Sequence, residues 1–199
     1  YIKTGMTEKQ IALEIEMYFK THGADGVSFE PIVAIGENSS IPHWIPGNRK
    51  VEMADPILID MGCKYEGYCS DMTRTIFMGC ILEEIKPVYD LTLKNLELST
   101  KEITDGYTIK TAANMVESDF KVNGYNLIHA LGHGVGLEVH ELPFIRLKNE
   151  ANFKENMVIA DEPGIYLPGK YGIRIEDTLL VTKDGSERLT KSERGYVVI

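Results

Sequence analysis

The sequence lacks any apolar run of the roughly 18 to 20 residues that a transmembrane helix requires. Its first five residues contain neither a signal-peptide hydrophobic segment nor an initiating Met. We therefore expect no membrane partner, and we expect residues 1–199 to form one domain at the C-terminal end of a longer protein. An excess of positive charge is also missing, since the formal net charge is −9. This charge argues against nucleic acid as a partner.

Cysteine is scarce, with 3 residues in the chain: Cys63, Cys69 and Cys80. Their number is odd and their spacing does not match a zinc finger, which argues against a disulfide framework and a structural zinc site. Free thiols fit a reducing compartment, so we expect a cytoplasmic protein. In contrast, hydrophobic residues make up 43% of the chain, which is enough for a folded core.

Two aspartates lie in strand-like segments where core residues are expected. Residues 57–59 and 73–77 are rich in β-branched and aromatic side chains and are separated by a glycine-containing turn, so they predict a β-hairpin. Alternation along the strands places Asp60 on one face of the first arm and Asp71 on one face of the second. If the faces coincide, the two carboxylates meet, and their burial costs several kcal/mol, roughly, unless a proton or cation neutralises them. Oxygen ligands of this kind favour a divalent metal ion.

Helical patterns surround this hairpin. A capping-box sequence at Thr7 predicts a helix that ends before Gly23. A second helix is predicted over residues 83–103, with Pro87 in its first turn, and a third from Thr108. A short strand over 29–35 precedes a long polar loop over 36–48, and loops of this length often line a functional site.

The chain then repeats itself. Four positions of the first helix, Gly5, Thr7, Lys9 and Ala12, recur at an offset of 101 as Gly106, Thr108, Lys110 and Ala113. The repeat extends to the acids, because Asp60 is matched by Glu162 at an offset of 102 and Asp71 by Glu176 at 105. The sequence therefore predicts two helix-plus-hairpin units that pack around a pseudo-twofold axis and gather four carboxylates between them.

Histidines lie between the two acidic hairpins, at His129, His133 and His140. Glycines on both sides of His133 favour an extended segment that passes close to something bulky or coordinated. We expect the imidazole of His133 to complete the oxygen-rich metal site.

Five motifs follow one another along the chain: Ile59-Asp60-x-Gly, Ser70-Asp71-x-Thr, His129-x-x-Gly-His133-Gly, Glu162-Pro-Gly-Ile-Tyr166 and Arg174-Ile-Glu176-Asp177. In this order they resemble the pita-bread metallopeptidase family, which includes methionine aminopeptidases, aminopeptidase P, prolidase and metal-free creatinases. The resemblance covers nearly all of the chain. It implies an α+β pita-bread fold, with helices outside a curved antiparallel sheet and a pseudo-twofold repeat.

The resemblance also implies a dinuclear metal site with five ligands: Asp60, Asp71, His133, Glu162 and Glu176. Asp60 would chelate one ion through both oxygens, and Asp71 and Glu176 would bridge two ions. The same ligand set admits manganese, cobalt, iron or zinc, and manganese is the expected metal. Asp161 departs from the family pattern by adding a charge beside Glu162.

The histidines favour an Xaa-Pro peptidase within this family. His43, His129 and His140 would surround the scissile bond and the proline of a peptide with proline at its second position. Glu162 would accept the proton of the attacking water, and His140 with His43 would donate to the oxyanion. Arg174 shares a strand face with Glu176 and is expected to orient a ligand carboxylate.

Two alternatives stay open. One is a methionine aminopeptidase, and the other is a non-catalytic pita-bread module that binds peptides or proteins. The full-length protein is expected to form a homodimer. The sequence does not decide between dipeptides and longer peptides as substrates, or whether the domain is active alone.

Overall fold

The computed structural model describes all residues 1–199 and contains three α-helices, a short 3-10 helix and thirteen strands. The helices are α1 (Glu8–Thr21), the 3-10 helix (Gly36–Ser40), α2 (Lys86–Glu102) and α3 (Ile109–Val122). The strands of the first half are β1 (Gly26–Val27), β2 (Ile32–Ile35), β3 (Pro56–Met61), β4 (Cys63–Tyr65), β5 (Tyr68–Cys69) and β6 (Met72–Phe77). Those of the second half are β7 (Gly132–Gly134), β8 (Glu141–Ile145), β9 (Val158–Asp161), β10 (Gly164–Leu167), β11 (Tyr171–Arg174), β12 (Asp177–Thr182) and β13 (Gly185–Arg188).

The predicted helix starts are confirmed at α1 and α3 and shifted at α2. The Thr7 hydroxyl accepts a hydrogen bond from the Gln10 amide at 3.2 Å, and the Gln10 side chain accepts one from the Thr7 amide at 2.9 Å. α2 begins at Lys86 and not at residue 83. Pro87 explains the shift, because a proline deeper inside the helix would clash with the carbonyl four residues earlier.

All strand pairs are antiparallel. β3 lies between β2 and β6 in a three-stranded sheet, and β9 lies between β7 and β12 in a five-stranded sheet that also contains β8 and β13. The predicted hairpin is thus confirmed as the β3–β6 pair, which extends into the smaller β4–β5 hairpin. Asp60 lies directly opposite Thr73, two residues after Asp71.

The predicted duplication is visible in the backbone. The Glu8 and Lys9 amides, at the start of α1, donate to the carbonyls of Arg49 and Gly47. At the start of α3 the Ile109 and Lys110 amides donate in the same way to Ala151 and Asn149. Each half therefore joins its helix to the segment before its central strand by the same hydrogen bonds.

Each half has its own hydrophobic core. The smaller core contains 7 buried residues around α1, β2 and β3, including Ile11, Val33 and Ile57. The larger core contains 21 buried residues and packs α2 and α3 against the strands of the second half. None of the helices is long and apolar enough to cross a membrane.

The two halves meet along β6. The Thr75 hydroxyl donates to the Arg174 carbonyl at 3.1 Å and accepts from the Arg174 amide at 3.2 Å. Nearby, the Glu176 amide donates to the Thr73 carbonyl, and the Thr178 hydroxyl donates to the Asp71 carbonyl at 2.7 Å. This junction brings the acidic ends of the two hairpins together.

The repeat offers a matched test of the larger core. Phe120 of α3 is fully buried, whereas its repeat counterpart Phe19 of α1 is half-buried. We expect Phe120→Ala to lower the free energy of unfolding by about 3–5 kcal/mol, the cost of a large buried cavity. Phe19→Ala should cost clearly less. Urea unfolding of both variants checks this, and equal losses would contradict the assignment of Phe120 to the core.

Candidate metal centre and active site

All five predicted metal ligands line one cavity of about 800 Å³, which lies at the junction of the two halves. Asp60 lies on β3, Asp71 and Glu176 immediately precede β6 and β12, and His133 and Glu162 lie on β7 and just after β9. The three predicted substrate-binding histidines, His43, His129 and His140, line the same cavity.

Three of the predicted ligands form a tight group. Asp71, His133 and Glu176 each offer one ligand atom, and these atoms lie within 4.8 Å of one another. Nε2 of His133 lies 3.6 Å from Oδ2 of Asp71 and 3.7 Å from Oε1 of Glu162. These separations bring oxygen and nitrogen atoms around a common point without direct contact, as they would around a bound cation.

Two buried carboxylate oxygens of the cavity have no hydrogen-bond partner: Oδ1 of Asp60 and Oε1 of Glu176. The other oxygen of each group is satisfied. Oδ2 of Asp60 accepts from Nη2 of Arg174 at 2.6 Å, and Oε2 of Glu176 accepts from the Thr73 hydroxyl at 2.6 Å. Because an unpaired buried polar atom is costly, each free oxygen indicates a missing partner of positive character.

Burial and mutual repulsion shift the acids in the same direction. Burial, followed by the charges of Glu176, Asp60 and Glu162, raises the pKa of Asp71. Burial and then Asp60 raise the pKa of Glu176 to about 8, while burial and then Glu176 raise the pKa of Glu162 well above its ordinary value. The fixed charges of the protein therefore do not neutralise this group of acids, whereas divalent cations would.

The residues fit divalent metal ions on these grounds. The donors are carboxylate oxygens and one imidazole, all directed into the same cavity, and two of the oxygens are unsatisfied. Burial lowers the pKa of His133, which keeps its imidazole neutral, the form that binds a metal.

Arg174 is 2% exposed, and its guanidinium connects several groups of the site. It donates to Asp60, to the Thr73 hydroxyl at 3.0 Å and to the Tyr166 hydroxyl at 2.8 Å. The sequence prediction placed Arg174 beside Glu176. In the structure its direct partner is Asp60, and it reaches Glu176 only through Thr73, because β11 ends at Arg174 and the chain turns before Glu176.

The glycines beside His133 make room for neighbouring strands. A Cβ atom on Gly132 would lie 2.0 Å from the Ala160 carbonyl oxygen, and one on Gly134 would lie 2.4 Å from that of Leu142. The predicted extended segment is confirmed as β7. β7 packs closely against the backbone of β9 and of the segment around β8. His133 is the β7 residue that lines the cavity.

The three other histidines of the site differ in how firmly they are held. Nε2 of His129 lies 2.9 Å from the Tyr166 hydroxyl, and burial lowers the pKa of His129 to about 4. The ring of His140 lies 4.4 Å from that of His133. His43 is exposed at the cavity wall, in the loop that follows the 3-10 helix.

Asp161 lies outside the cavity, and its charge is a smaller cause of the raised pKa of Glu162 than burial, Glu176 and Asp60. It is fully buried on the opposite side of β9, where Oδ2 accepts from the Ser99 hydroxyl of α2 at 2.7 Å. Burial raises the pKa of Asp161 to about 8, so the group is largely neutral at pH 7. Alternation along the strand separates it from Glu162.

Two residues of the site had no role assigned from sequence. Thr73 links Arg174 to Glu176, and Tyr166 links Arg174 to His129. Thr73 could have been found from its position, since it shares the strand face of Asp71. Tyr166 lies within the Glu162-Pro-Gly-Ile-Tyr166 motif, but its contacts depend on how the β10–β11 hairpin folds over the cavity.

Comparison with known proteins agrees with this geometry. A family model described as metallopeptidase family M24 matches residues 1–183. The chain is 40% identical over 195 residues to the Xaa-Pro dipeptidase of Pyrococcus furiosus. This match covers 97% of the chain and 56% of the dipeptidase. The chain thus spans about half the length of the curated relatives it matches.

Solved structures show the same fold. An X-Pro aminopeptidase from Thermotoga maritima matches with a TM-score of 0.97 and 42% identity, over 100% of this chain and 57% of that one. A variant of Escherichia coli aminopeptidase P matches with a TM-score of 0.87 and 30% identity, over 96% of this chain and 50% of that one. The predicted pita-bread fold is confirmed.

Metal addition should stabilise the protein. We expect Mn²⁺ at about 100 times its Kd to increase the free energy of unfolding by about 2.7 kcal/mol, since the ion binds the folded state only. Thermal unfolding with EDTA and then with excess Mn²⁺ measures this shift. An unchanged midpoint would mean that the acidic cavity does not hold this ion.

Glu176→Ala removes a carboxylate from the three-residue group. We expect Mn²⁺ affinity to fall by more than about 10- to 100-fold, the loss that even groups behind a ligand can cause. Isothermal titration calorimetry provides the measurement. Glu150→Ala is the matched control, because Glu150 pairs with Lys110 on the surface, and comparable losses in both variants would remove Glu176 from the site.

Proposed function

The chain belongs to metallopeptidase family M24, and we propose that it is the catalytic domain of an enzyme that hydrolyses the peptide bond before proline. The observation that carries this proposal is the convergence of four acids and His133 on one cavity that three more histidines line. The names of the similar proteins, Xaa-Pro dipeptidase and X-Pro aminopeptidase, support the choice of substrate.

In this proposal the cavity holds two divalent ions. Asp60 would hold one ion, Asp71 and Glu176 would be shared between the two, and His133 and Glu162 would complete the ion that Asp60 does not bind. When bound, such ions lower the pKa of water and polarise the substrate carbonyl. We propose manganese, because carboxylate oxygens outnumber nitrogen in the ligand set and no thiolate takes part.

Glu162 is the proposed general base and acid. Its side chain is 19% exposed, which makes it the most accessible of the four cavity carboxylates. It can therefore take a proton from the attacking water and pass it to the departing prolyl nitrogen. The Arg174 guanidinium, 4.0 Å from Oε2 of Glu162, limits the movement of this carboxylate.

The histidines are proposed to bind the substrate. His140 and His43 can donate to the carbonyl oxygen as it gains negative charge, and the loss of one such donor typically costs about 3–4 kcal/mol. His129 is held on the cavity wall by Tyr166 and is neutral at pH 7, because burial lowers its pKa to about 4. A neutral ring of this kind suits contact with the uncharged proline ring.

An Xaa-Pro bond needs a dedicated site. It has no amide N–H, so a peptidase that binds this hydrogen does not recognise it, and its ring is rigid. The cavity offers apolar surface in place of an N–H acceptor, from side chains that include Phe29, Trp44 and Phe144.

The substrate choice is tested with two peptides. We expect the full-length protein loaded with Mn²⁺ to cleave an Xaa-Pro peptide and to leave Met-Ala uncut, because the proposed role of His43, His129 and His140 is to surround the proline. Amino-acid release measured by chromatography gives kcat/KM for each. Preferential release of methionine from Met-Ala would instead support a methionine aminopeptidase, and cleavage of neither peptide by metal-loaded protein would support a binding module.

His129→Ala should separate substrate binding from metal binding. We expect kcat/KM for the Xaa-Pro peptide to fall by about 10- to 100-fold, the effect of a misplaced substrate, while the Mn²⁺ content measured by elemental analysis stays constant. Parallel loss of metal would place His129 among the ligands.

The homodimer and the cytoplasmic location stay predictions. The three cysteines are unpaired in the structure, which supports a reducing compartment.

A further inference from the structure

The cavity wall formed by residues 41–47, here named the His43 loop, is held by a carboxylate that does not line the cavity. Glu8, the first residue of α1, is fully buried. A buried glutamate without a cationic partner is unusual, because its charge must then be satisfied by hydrogen bonds alone. Glu8 forms no ion pair in the structure, so its hydrogen bonds must account for its position.

Four donors surround the Glu8 carboxylate. Oε1 accepts from the Ile35 amide and from Nδ2 of Asn38, both at 2.9 Å. Oε2 accepts from Nε1 of Trp44 at 2.9 Å and from the Gly47 amide at 2.7 Å. The first pair lies before the His43 loop and the second pair lies within it, so one carboxylate closes the two ends of this segment against each other.

The internal repeat shows that the same helix junction can form without an acid. The position equivalent to Glu8 at an offset of 101 is Ile109, which is also fully buried. The backbone amides of both residues donate to the facing segment in the same way. The helix junction therefore forms with an apolar side chain in the second half, and the carboxylate is an addition specific to the half that carries His43.

The rest of the His43 loop has few anchors of its own. Within it, the Pro42 carbonyl accepts from Nη1 of Arg174 at 3.2 Å, which ties the loop to the arginine that holds Asp60. His43 itself is exposed and makes no hydrogen bond to the protein. Its position is thus set by its neighbours, Pro42 on one side and Trp44 on the other.

We propose that Glu8 is a positioning residue of this enzyme, which fixes the His43 loop through Trp44 and Gly47 and so places the His43 imidazole at the scissile bond. The placement of His43 at the substrate rests on the proposed function. The attachment of the loop to Glu8 does not, and it can be tested without any activity.

The first test uses fluorescence. Trp44 is the only tryptophan of the chain, and its indole N–H is one of the four donors. Glu8→Gln keeps the size of the side chain but replaces one acceptor oxygen with an NH₂ group that faces two donors. We expect red-shifted Trp44 emission and about 2-fold or greater acrylamide quenching, as expected when a hydrogen-bonded group gains access to water. Glu14→Gln on the same helix is the control, and it should leave the spectrum unchanged.

The second test is a double-mutant cycle in the full-length, metal-loaded protein. We expect Glu8→Gln to lower kcat/KM for an Xaa-Pro peptide by about 10- to 100-fold, as for a misplaced catalytic group, with unchanged Mn²⁺ content. In a His43→Ala background the same substitution should have less than about 3-fold effect, because residues that act through one another are not additive.

The outcomes separate the possibilities. Unchanged fluorescence in folded Glu8→Gln would overturn the attachment of the loop, and full additivity with His43→Ala would overturn the positioning role. If Glu8→Gln does not fold, Trp44→Phe removes the indole donor while keeping an aromatic ring at the cavity wall, and it should lower kcat/KM by about 3- to 10-fold, the value of one hydrogen bond. Additivity of that loss with His43→Ala would overturn the proposal equally.

A wild-type protein inactive on Xaa-Pro peptides would refute the proposed function, while the fluorescence result would still decide the attachment.

Discussion

Electrostatic repulsion among Asp60, Asp71, Glu162 and Glu176 is the constraint on which the rest of the structure depends. Four carboxylates share one largely buried cavity, and Arg174 is the protein cation that pairs with two of them, Asp60 and Glu162. A single guanidinium does not balance four acids, and the raised pKa values of Asp71, Glu162 and Glu176 express this imbalance. The scaffold maintains the arrangement by hydrogen bonds from both halves, and the unsatisfied oxygens of Asp60 and Glu176 leave room for divalent cations.

The duplicated scaffold explains how so much like charge comes to one place. Each half places an acid at the end of its central strand and another before the returning strand. The registers of the two hairpins differ by two residues, since Asp60 faces Thr73 whereas Thr178 faces Ala160, two positions before Glu162. A shift of two keeps every side chain on its face of the sheet. The repeat thus places the four acids at equivalent positions, while the strand registers of the two halves differ.

Those differences carry the specific features of the cavity. One strand of each half leads into a segment with a histidine, His43 after β2 and His140 after β7. The two segments are held differently. Glu8 attaches the first one through its side chain, and in the second half Ile109 occupies that position. A repeated unit can therefore support an asymmetric site when single side chains differ between its two copies.

Much of this protein follows from the sequence alone, because the relevant signals are local or repeated. Capping at Thr7, strand alternation around Asp60 and the offset of 101 are properties of neighbouring residues or of internal comparison, and they led to the helices, the hairpins and the candidate ligands. The tertiary structure decided which groups touch. Arg174 pairs with Asp60, 114 positions away in the chain, Thr73 meets Glu176 across 103, and Asp161 turns away from its neighbour Glu162 towards α2. Contacts of this kind depend on how two sheets dock, and no local pattern encodes the distance between side chains on different halves. The sequence therefore determined the parts of the site, and the packing of β6 against β11 and β12 determined their geometry.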